Sequence, residues 1–415
     1  MRRYPVKKEV RLGGNESSKL FTDALPNGLI YHEEAQLITV KGAVGKVLYE
    51  AAGEDRVCET RGTYTPAGEL MVMFPVGKGY TEGIHANRMV MFRSKDDGRS
   101  WTGPISATGF QTAQHGFIPL IPKGSKDIYC FGTQPVEEAY KPDTKTVENA
   151  PIGFYVSHDD GYTWNGPKLI RPEEDPDYQG MSVTRMCETD SGAWIIGSHE
   201  AYWHTDRPLE TFQYVLRSID KGNTWRITPP GRRKGFQCPG YERMDEGRAI
   251  NLGNGRVLMM IRTPSGRLYK TLSRDDGVTW DTPSPTPLVH PDAPAMIVNV
   301  GSALLCLHHN RHHDRNYSGL SGSNEETMAD RSELWASFSY DEGETWTEPR
   351  LIFANACLPG FDQPFYNHQI SYTDMIVKDD EIHFIIPHLW HRVVYMRLSI
   401  EDIKNAPTIE ALSGN

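Results

Sequence analysis

Four histidines near residue 310 form the densest group of side chains able to bind a metal or transfer protons. They lie in the segment His308-His309-Asn-Arg-His312-His313. Histidines spaced i and i+4 converge on one metal ion when their segment is helical. Here the segment follows a β-rich run and opens a long loop, so the sequence predicts neither a metal site nor a cofactor. His309 is kept as a candidate for sugar binding or proton transfer.

The cysteines and the overall composition point to an ordinary globular protein. Six cysteines are scattered singly over 415 residues, with no CxxC pair. This spacing gives no support to a zinc or redox motif, and a disulfide framework is not expected in so large and cysteine-poor a chain. Hydrophobic residues make up 38% and charged residues 24%, which is typical of folded domains.

The charge balance excludes some classes of partner. The formal net charge is −10, whereas non-specific nucleic-acid binding needs a basic field. No apolar run approaches the roughly 20 residues of a membrane span, so neither nucleic acid nor membrane is expected as a partner. The first eight residues carry the positive charge of a signal peptide without the apolar segment. As written, the sequence predicts a cytoplasmic protein, or a secreted or periplasmic one whose signal has been removed.

One eight-residue pattern recurs five times along the chain. It has the form S-x-D-x-G-x-[ST]-W, and successive copies begin 55 to 66 residues apart. The copies are Ser94–Trp101, Ser157–Trp164, Ser218–Trp225, Ser273–Trp280 and Ser339–Trp346. Five matches at this spacing cannot arise by chance, so the chain consists of repeated structural units.

The residue types of the pattern predict a tight turn between two strands. An aspartate early in a turn accepts hydrogen bonds from backbone amides, and the glycine supplies a positive φ. The tryptophan is expected to start the next strand and to pack into its own unit. This pattern is the Asp box, and it resembles the sialidase superfamily across nearly the whole chain. The resemblance implies an all-β fold: one six-bladed β-propeller domain of four-stranded antiparallel blades over residues 1–415.

Short β-rich runs around the boxes give the strands of each blade. In the fourth unit they are Arg248–Leu252, Val257–Arg262, Leu268–Ser273 and a strand leaving Trp280, taken as strands A to D. A sixth unit has no box and contains Ile370–Val377, Glu381–Ile386 and Val393–Leu398. Within the N-terminal segment 1–50, the run Leu29–Tyr49 is expected to supply the strand that closes the ring and removes its free edge.

Because the strands of a blade are antiparallel, successive turns lie on alternate faces of the disc. The boxes and the predicted catalytic residues therefore fall on opposite faces. As C–D turns, the boxes share a face with the A–B turns, and their role is predicted to be structural. The B–C loops and the starts of the A strands lie on the other face. Long loops often carry function, and the long B–C loops are Val76–Asn87, Gln134–Ala150, His199–Thr211 and His309–Asp330.

The resemblance implies a set of catalytic residues on that second face. Retaining sialidases use a tyrosine nucleophile, a glutamate that activates it, an acidic acid/base residue and three carboxylate-binding arginines. The stretch from Glu246 to Arg262 resembles the blade-four segment that carries the glutamate and one arginine. Arg331, eight residues before the fifth box, matches another arginine. Tyr372, in the segment Ser371–Asp380, matches the nucleophile.

Two positions depart from the family pattern. Cys58 occupies the position of the first arginine, for which Arg56, on the same strand face, and Arg61 are candidate substitutes. The acid/base aspartate is missing, and Glu82 in the first B–C loop falls nearest its position. Two matching arginines instead of three also suit a uronate or a neutral sugar.

Three functions are compatible with this pattern, and all have a carbohydrate partner. The first is an exo-acting, retaining glycoside hydrolase of sialidase type for a terminal, anionic sugar such as sialic acid. The second is a polyuronate lyase in which His115 or His309 abstracts a proton with help from tyrosine. The third is a glycan-binding propeller without catalysis. Aromatic and imidazole groups expected on this face are His199, His204, His368, His388, Trp203 and Trp390.

Overall fold

Six antiparallel β-sheets follow one another around a ring, and each supplies the four strands of one blade. The prediction of a six-bladed β-propeller is therefore confirmed. The computed structural model describes residues 6–7, 9–13, 19–21, 24–57, 59–77, 87–112, 118–134, 140–141, 146–147, 150–182, 184–202, 204, 207–312, 329–358 and 368–413.

Within each blade the strands run A to D from the axis outward. Blade one has a divided strand A, and its strands are Arg56–Val57 with Arg61–Tyr64, Leu70–Gly77, Asn87–Ser94 and Thr102–Thr112. Blade two contains Ile118–Leu120, Ile128–Thr133, Ile152–Ser157 and Asn165–Leu169, and blade three contains Cys187–Glu188, Trp194–Tyr202, Glu210–Ser218 and Arg226–Thr228. Blade four contains Asp245–Gly253, Arg256–Arg262, Arg267–Ser273 and Ser284–Val289.

The last two blades recruit strands from the N-terminal segment. Blade five contains Met296–Val300, Ala303–His308, Glu333–Ser339 and Arg350–Asn355, extended at its outer edge by Leu37–Val40 and Leu29–His32. Blade six contains Asp374–Lys378, Glu381–His388, Arg392–Ser399 and, as strand D, Val44–Glu50. Pairing between Val44–Glu50 and Arg392–Ser399 joins the two ends of the ring.

Short elements outside the blades complete the described structure. Two strands, Val10–Leu12 and Lys19–Phe21, form a hairpin before blade five's added strands, and a second pair, Tyr140–Lys141 and Thr146–Val147, lies in the B–C loop of blade two. Two helices, Ile400–Lys404 and Ile409–Ser413, follow the last strand. None of the helices in the described part of the chain has the length and apolar character needed to cross a membrane.

The Asp boxes form the same hydrogen-bonded turn in all five units. In blade three, Ser218 Oγ accepts from the amide of Gly222 at 2.9 Å, and Asp220 Oδ1 accepts from the amide of Thr224 at 2.8 Å. The other Asp220 oxygen accepts from the Thr224 hydroxyl at 2.8 Å. These contacts saturate the box carboxylate inside its own turn. The boxes are thus built as structural turns, as their residue types predict.

The box tryptophans pack against the preceding blade, which corrects the expectation that each packs into its own. Trp225 of blade three lies edge-on to Phe131 of blade two at 6.1 Å, and Trp101 of blade one lies edge-on to Tyr395 of blade six at 5.0 Å. The box glycine allows this approach. Gly98 has a φ of +82°, and a Cβ there would lie 2.0 Å from the Tyr395 hydroxyl oxygen.

Several strand boundaries differ from the sequence-based expectation, and strand A of blade four begins at Asp245 rather than Arg248. The segment taken as the B–C loop His199–Thr211 is mostly strand: His199 pairs with Gln213 and Ala201 with Thr211 in a long hairpin. Strand A of blade six begins at Asp374 rather than Ile370. The strand expected directly after Trp280 begins at Ser284.

Candidate active site

Four side chains predicted from three separate blades meet in one buried cluster. Glu246 lies in strand A of blade four, and Arg262 ends the adjacent strand B. Arg331 precedes strand C of blade five, and Tyr372 lies in the turn before strand A of blade six. Because the A strands start and the B strands end at the same face, the fold delivers these residues to a common point.

Hydrogen bonds join the tyrosine, the glutamate and one arginine. The Tyr372 hydroxyl donates to Glu246 Oε1 at 2.9 Å, and Arg262 Nη1 donates to Glu246 Oε2 at 2.7 Å. The same Arg262 nitrogen lies 3.3 Å from the Tyr372 hydroxyl oxygen. A carboxylate placed in this way can accept the phenolic proton, and the guanidinium can stabilise negative charge on the phenol oxygen.

The backbone at both Glu246 and Tyr372 is strained. Glu246 has a φ of +51° and Tyr372 a φ of +61°, a region that side chains other than glycine and asparagine rarely adopt. Each such conformation costs about 1–3 kcal/mol and persists only where its surroundings impose it. Positive φ also occurs in the Asp-box turns, for example at Asp97 and Asp160, so the assignment of the candidate site rests on the contacts between Glu246 and Tyr372.

Two carboxylates and one arginine that the sequence analysis missed complete the cluster. Asp292 Oδ1 accepts from Arg262 Nε at 2.6 Å, and Asp245 Oδ1 lies 3.4 Å from the same nitrogen. Arg243 binds both aspartates at 2.9 Å. Asp245 is adjacent to Glu246, and Asp292 precedes strand A of blade five. A search for charged residues at the starts of the A strands could therefore have identified both aspartates from the sequence.

Burial and ion pairing shift the pKa values in opposite directions. Burial raises the pKa of Tyr372 well above its usual value, and Glu246 raises it further, while Arg262 and Arg331 only partly oppose them. Burial alone would also raise the pKa of Asp292, but Arg243 and Arg262 outweigh it and hold that pKa low. At neutral pH the phenol therefore keeps its proton and the aspartate is ionised.

Arg331 differs from the other arginines of the cluster. Its Nη2 donates to the backbone carbonyl of Asp292, and its buried Nε has no hydrogen-bond partner among the described residues. No carboxylate of the described residues forms an ion pair with it, and burial, followed by the neighbouring Arg262, lowers its pKa. An anionic ligand would supply the opposite charge that is missing beside this guanidinium.

The candidates for the missing first arginine lie beside the cluster in blade one. Arg61 is buried, and its Nη1 donates to the backbone carbonyls of Thr60 at 2.8 Å and Tyr372 at 3.1 Å. Arg61 thus holds the tyrosine's backbone. Arg56 is half-buried and pairs with Gly77 at the edge of the blade. Next to the Cys58 position, Glu59 is buried with a φ of +44° and contributes to the raised pKa of Tyr372.

His309 lies next to the tyrosine segment with both ring nitrogens engaged. Nδ1 lies 2.7 Å from the Glu333 carbonyl oxygen, and Nε2 lies 2.5 Å from the Ser371 hydroxyl. Burial lowers the pKa of His309 to about 3, so the ring is neutral at physiological pH. This geometry positions the turn that carries Tyr372 and leaves no ring nitrogen open for a substrate proton.

Several residues named from the sequence lie outside the described part of the chain. They are Cys58, Glu82, His115 and Trp203. Of the remaining aromatic and imidazole candidates, His388 is buried and bonds Asn355 and Arg392, whereas His204 contacts Glu210 at 3.3 Å. Among the described residues no group of three or more potential ligands is arranged to hold a metal ion.

The buried histidines predict a loss of stability below neutral pH. Burial lowers the pKa of six of them: to about 4 for His308 and His383, to about 3 for His309 and His368, and well below the usual value for His290 and His388. In the unfolded chain all six have a pKa of about 6.5. Between these limits the unfolded state binds more protons, so stability is full above pH 6.5 and falls as the pH drops through it. We expect each of these histidines to contribute a loss of up to about 1.4 kcal/mol per pH unit below pH 6.

Urea denaturation at pH 7.5, 6.0 and 5.5 measures this effect. Replacing His309 with Gln should reduce the slope by about one sixth, because one of six linked protons is removed. Replacing the exposed His158, whose side chain is 63% accessible, should leave the slope unchanged. Equal stability at pH 7.5 and 5.5 would show that these rings do not remain neutral in the folded protein.

The fold and the cluster together define a sialidase-like six-bladed propeller. The family described as the BNR repeat-like domain matches residues 131–384, and the chain belongs to that family and to the sialidase-like superfamily. A sialidase of Micromonospora viridifaciens is 27% identical over 323 residues. The match covers 70% of this chain and 45% of that relative, so the chain spans less than half of the relative's length.

Solved structures show the same architecture at low sequence identity. A protein of unknown function from Dyadobacter fermentans matches with a TM-score of 0.60 and 17% identity, over 87% of this chain and all of the other. The NanB sialidase of Streptococcus pneumoniae matches with a TM-score of 0.59 and 13% identity, over 86% of this chain and 71% of the other. These similarities concern the fold.

Proposed function

We propose that the protein is an exo-acting glycoside hydrolase of sialidase type that removes a terminal acidic sugar with retention of configuration. The observation that carries the proposal is the buried hydrogen bond of 2.9 Å between the Tyr372 phenol and the Glu246 carboxylate. Both residues hold strained backbone conformations, and an arginine bridges them. The sialidase relative from Micromonospora viridifaciens supports sialic acid as the first substrate to test.

In the first step the Tyr372 oxygen attacks the anomeric carbon while Glu246 Oε1 takes the phenolic proton. The glycosidic C–O bond breaks, and an acid protonates the departing oxygen; the sequence predicts Glu82 for this role. The product is a covalent tyrosyl glycoside. In the second step water attacks the same carbon, gives its proton to the conjugate base of that acid, and the phenolate recovers its proton from Glu246.

The raised pKa of Tyr372 explains why Glu246 is needed. A phenol that stays protonated at neutral pH attacks only if a base removes its proton during the reaction. Glu246 is in hydrogen-bond contact with that proton, and Arg262 lies where the phenolate charge develops. In the transition state the guanidinium therefore gains interaction energy that it lacks with the neutral phenol.

Arg331 supports an acidic rather than a neutral substrate. Arg262 already has three carboxylates around it, namely Asp245, Glu246 and Asp292. Within the part of the chain that the structure describes, Arg331 has a backbone carbonyl as its hydrogen-bond acceptor and a buried Nε without a partner. A substrate carboxylate placed against Arg331 would complete its hydrogen bonding and compensate a buried charge.

The alternatives receive less support from the described residues. A lyase needs a base with a free nitrogen or oxygen, and both nitrogens of His309 are bound to the protein. A purely glycan-binding propeller has no use for a buried phenol–carboxylate pair held at two positive φ angles, which costs folding energy. The hydrolase accounts for both features.

Release of fluorophore from synthetic glycosides tests the proposal. We expect turnover of a sialoside or of another acidic glycoside, and none of neutral hexosides. Ultraviolet absorbance, recorded in parallel on polyuronates, detects the unsaturated product of an elimination. Cleavage restricted to neutral sugars, or an unsaturated product, would contradict the acidic-sugar hydrolase.

A further inference from the structure

A cavity lies on the propeller axis, and Tyr372 is not among the residues that line it. It has a volume of about 460 Å³ and is lined by the innermost strands of blades one, three, four, five and six. Its walls include Gly62, Arg185, Arg248, Asn251, Asn299 and Met375. In a propeller the A strands surround a central channel, so the side chains of several blades face one another here.

Asp374 is the carboxylate that pairs with the arginines of this cavity, and one arginine occupies most of its acceptor capacity. Arg185 Nε donates to Asp374 Oδ1 at 2.6 Å, and its Nη2 donates to Oδ2 at 2.5 Å. The amide of Gly62 adds a third hydrogen bond to Oδ2 at 3.0 Å. Asp374 is completely buried and already forms a bidentate pair. Little of its acceptor capacity is left for a second guanidinium.

Arg248 is the second guanidinium, and its charge is poorly compensated. Its side chain is 3% exposed, and its nearest carboxylate oxygen, on Asp374, is 4.0 Å from Nη1. That distance is too long for a hydrogen bond. Its buried Nε has no partner among the described residues. Leaving a buried charge without hydrogen-bonded compensation costs several kcal/mol in general, so a missing anion is the simplest explanation.

Arg61 adds a third positive charge to the same region. Burial first, and then Arg185 and Arg61, lower the pKa of Arg248 to about 9, although Asp374 opposes them. Three guanidinium groups thus lie near Asp374, while the other carboxylate of the cavity wall, Glu188, accepts a hydrogen bond from the backbone amide of Lys123 at 2.7 Å. The protein as a whole carries a formal net charge of −10, so this local excess of positive charge is specific to the channel.

We propose that the axial cavity binds a small monovalent inorganic anion of the chloride type, with Arg248 as the residue that contacts it. Arg185 and Arg61 supply the surrounding positive field, and Asn251 and Asn299 lie in the same wall. Arg61 also donates to the carbonyl of Tyr372. The anion therefore neutralises the charge cluster that holds the backbone of the candidate nucleophile. This inference does not depend on the proposed glycosidase activity.

Crystals of the native protein grown in sodium bromide give the direct test. Anomalous scattering should locate bromide in the axial cavity, within hydrogen-bond distance of the Arg248 guanidinium. Surface bromide sites without one in the axial cavity would overturn the proposal. This measurement needs no variant, so it remains decisive even if substitutions in the channel prevent folding.

A solution experiment shows whether binding occurs outside the crystal. The thermal midpoint is measured in sodium chloride and in sodium methanesulfonate at equal ionic strength. We expect chloride to raise it by about 3 °C at a hundredfold excess over its Kd. Arg248→Met should abolish the difference. Arg256→Met, at an arginine on the surface of blade four paired with Glu342, should retain it. A chloride effect that survives in Arg248→Met, or no effect in the native protein, would contradict the assignment.

Discussion

Replacing Tyr372 with Phe is expected to lower kcat by about 10³-fold or more on any glycoside that the native protein hydrolyses. The substitution removes only the hydroxyl that we propose as the nucleophile. The ring and its backbone hydrogen bond from Arg61 remain, so the fold and the thermal midpoint should change little. Kinetic assays of kcat and KM, together with circular dichroism, measure both expectations.

Tyr340→Phe is the matched control for the loss of a phenolic hydroxyl. Tyr340 lies in the fifth Asp box, on the opposite face, and is 64% exposed. Its variant should keep native kcat and KM. Full activity in Tyr372→Phe would exclude this tyrosine as the nucleophile, whereas a folded but inactive variant with native substrate affinity would support it. Rapid-quench trapping of a glycosyl adduct on Tyr372 would distinguish covalent catalysis from a binding role.

Glu246→Gln is expected to lower kcat by about 10²- to 10⁴-fold at neutral pH, because the phenol loses the base that accepts its proton. The fold should persist, since Arg262 keeps its contact of 2.6 Å with Asp292. The carboxylate also raises the pKa of Tyr372, so its removal lowers that pKa. The residual activity of the variant should therefore increase with pH as the phenol ionises without a base.

Glu242→Gln controls for the change of a carboxylate to an amide in the same segment. Glu242 is a surface residue with a side-chain exposure of 67%, and its variant should match the native pH profile. A rise in KM without a fall in kcat in Glu246→Gln would show that Glu246 binds substrate rather than activating Tyr372. An unchanged pH profile at reduced kcat would indicate a purely structural effect.

The sequence predicted the blades well because their signal is local. Each box contains in eight residues its own acceptors and its positive-φ glycine, whereas the next strand begins after the box tryptophan. The contacts of Asp220 with Thr224 and of Ser218 with Gly222 never leave that segment. By contrast, Trp225 packs on Phe131, a residue far away in the sequence. The sequence analysis expected this tryptophan to pack within its own blade, and that expectation was wrong.

The site was predicted only in part because its contacts are between blades. Tyr372 and Glu246 are 126 positions apart, and only the closure of the ring brings the phenol to 2.9 Å from the carboxylate. Family resemblance named these two residues, but no pattern indicated that Asp292 would bind Arg262. Nor did any pattern in the sequence indicate that Arg61 would donate a hydrogen bond to the backbone carbonyl of Tyr372.

The sequence alone determined that this protein is a propeller with five Asp boxes, since a turn that satisfies its own hydrogen bonds needs no distant partner. It also supplied Tyr372, Glu246, Arg262 and Arg331 as candidates. Only the tertiary structure decided which charges compensate one another. Arg262 is surrounded by three carboxylates, whereas the buried Nε atoms of Arg331 and Arg248 have no hydrogen-bond partner in the described ranges. The reason is physical: burial makes an unmatched charge costly, and burial is set by how the blades close around the axis.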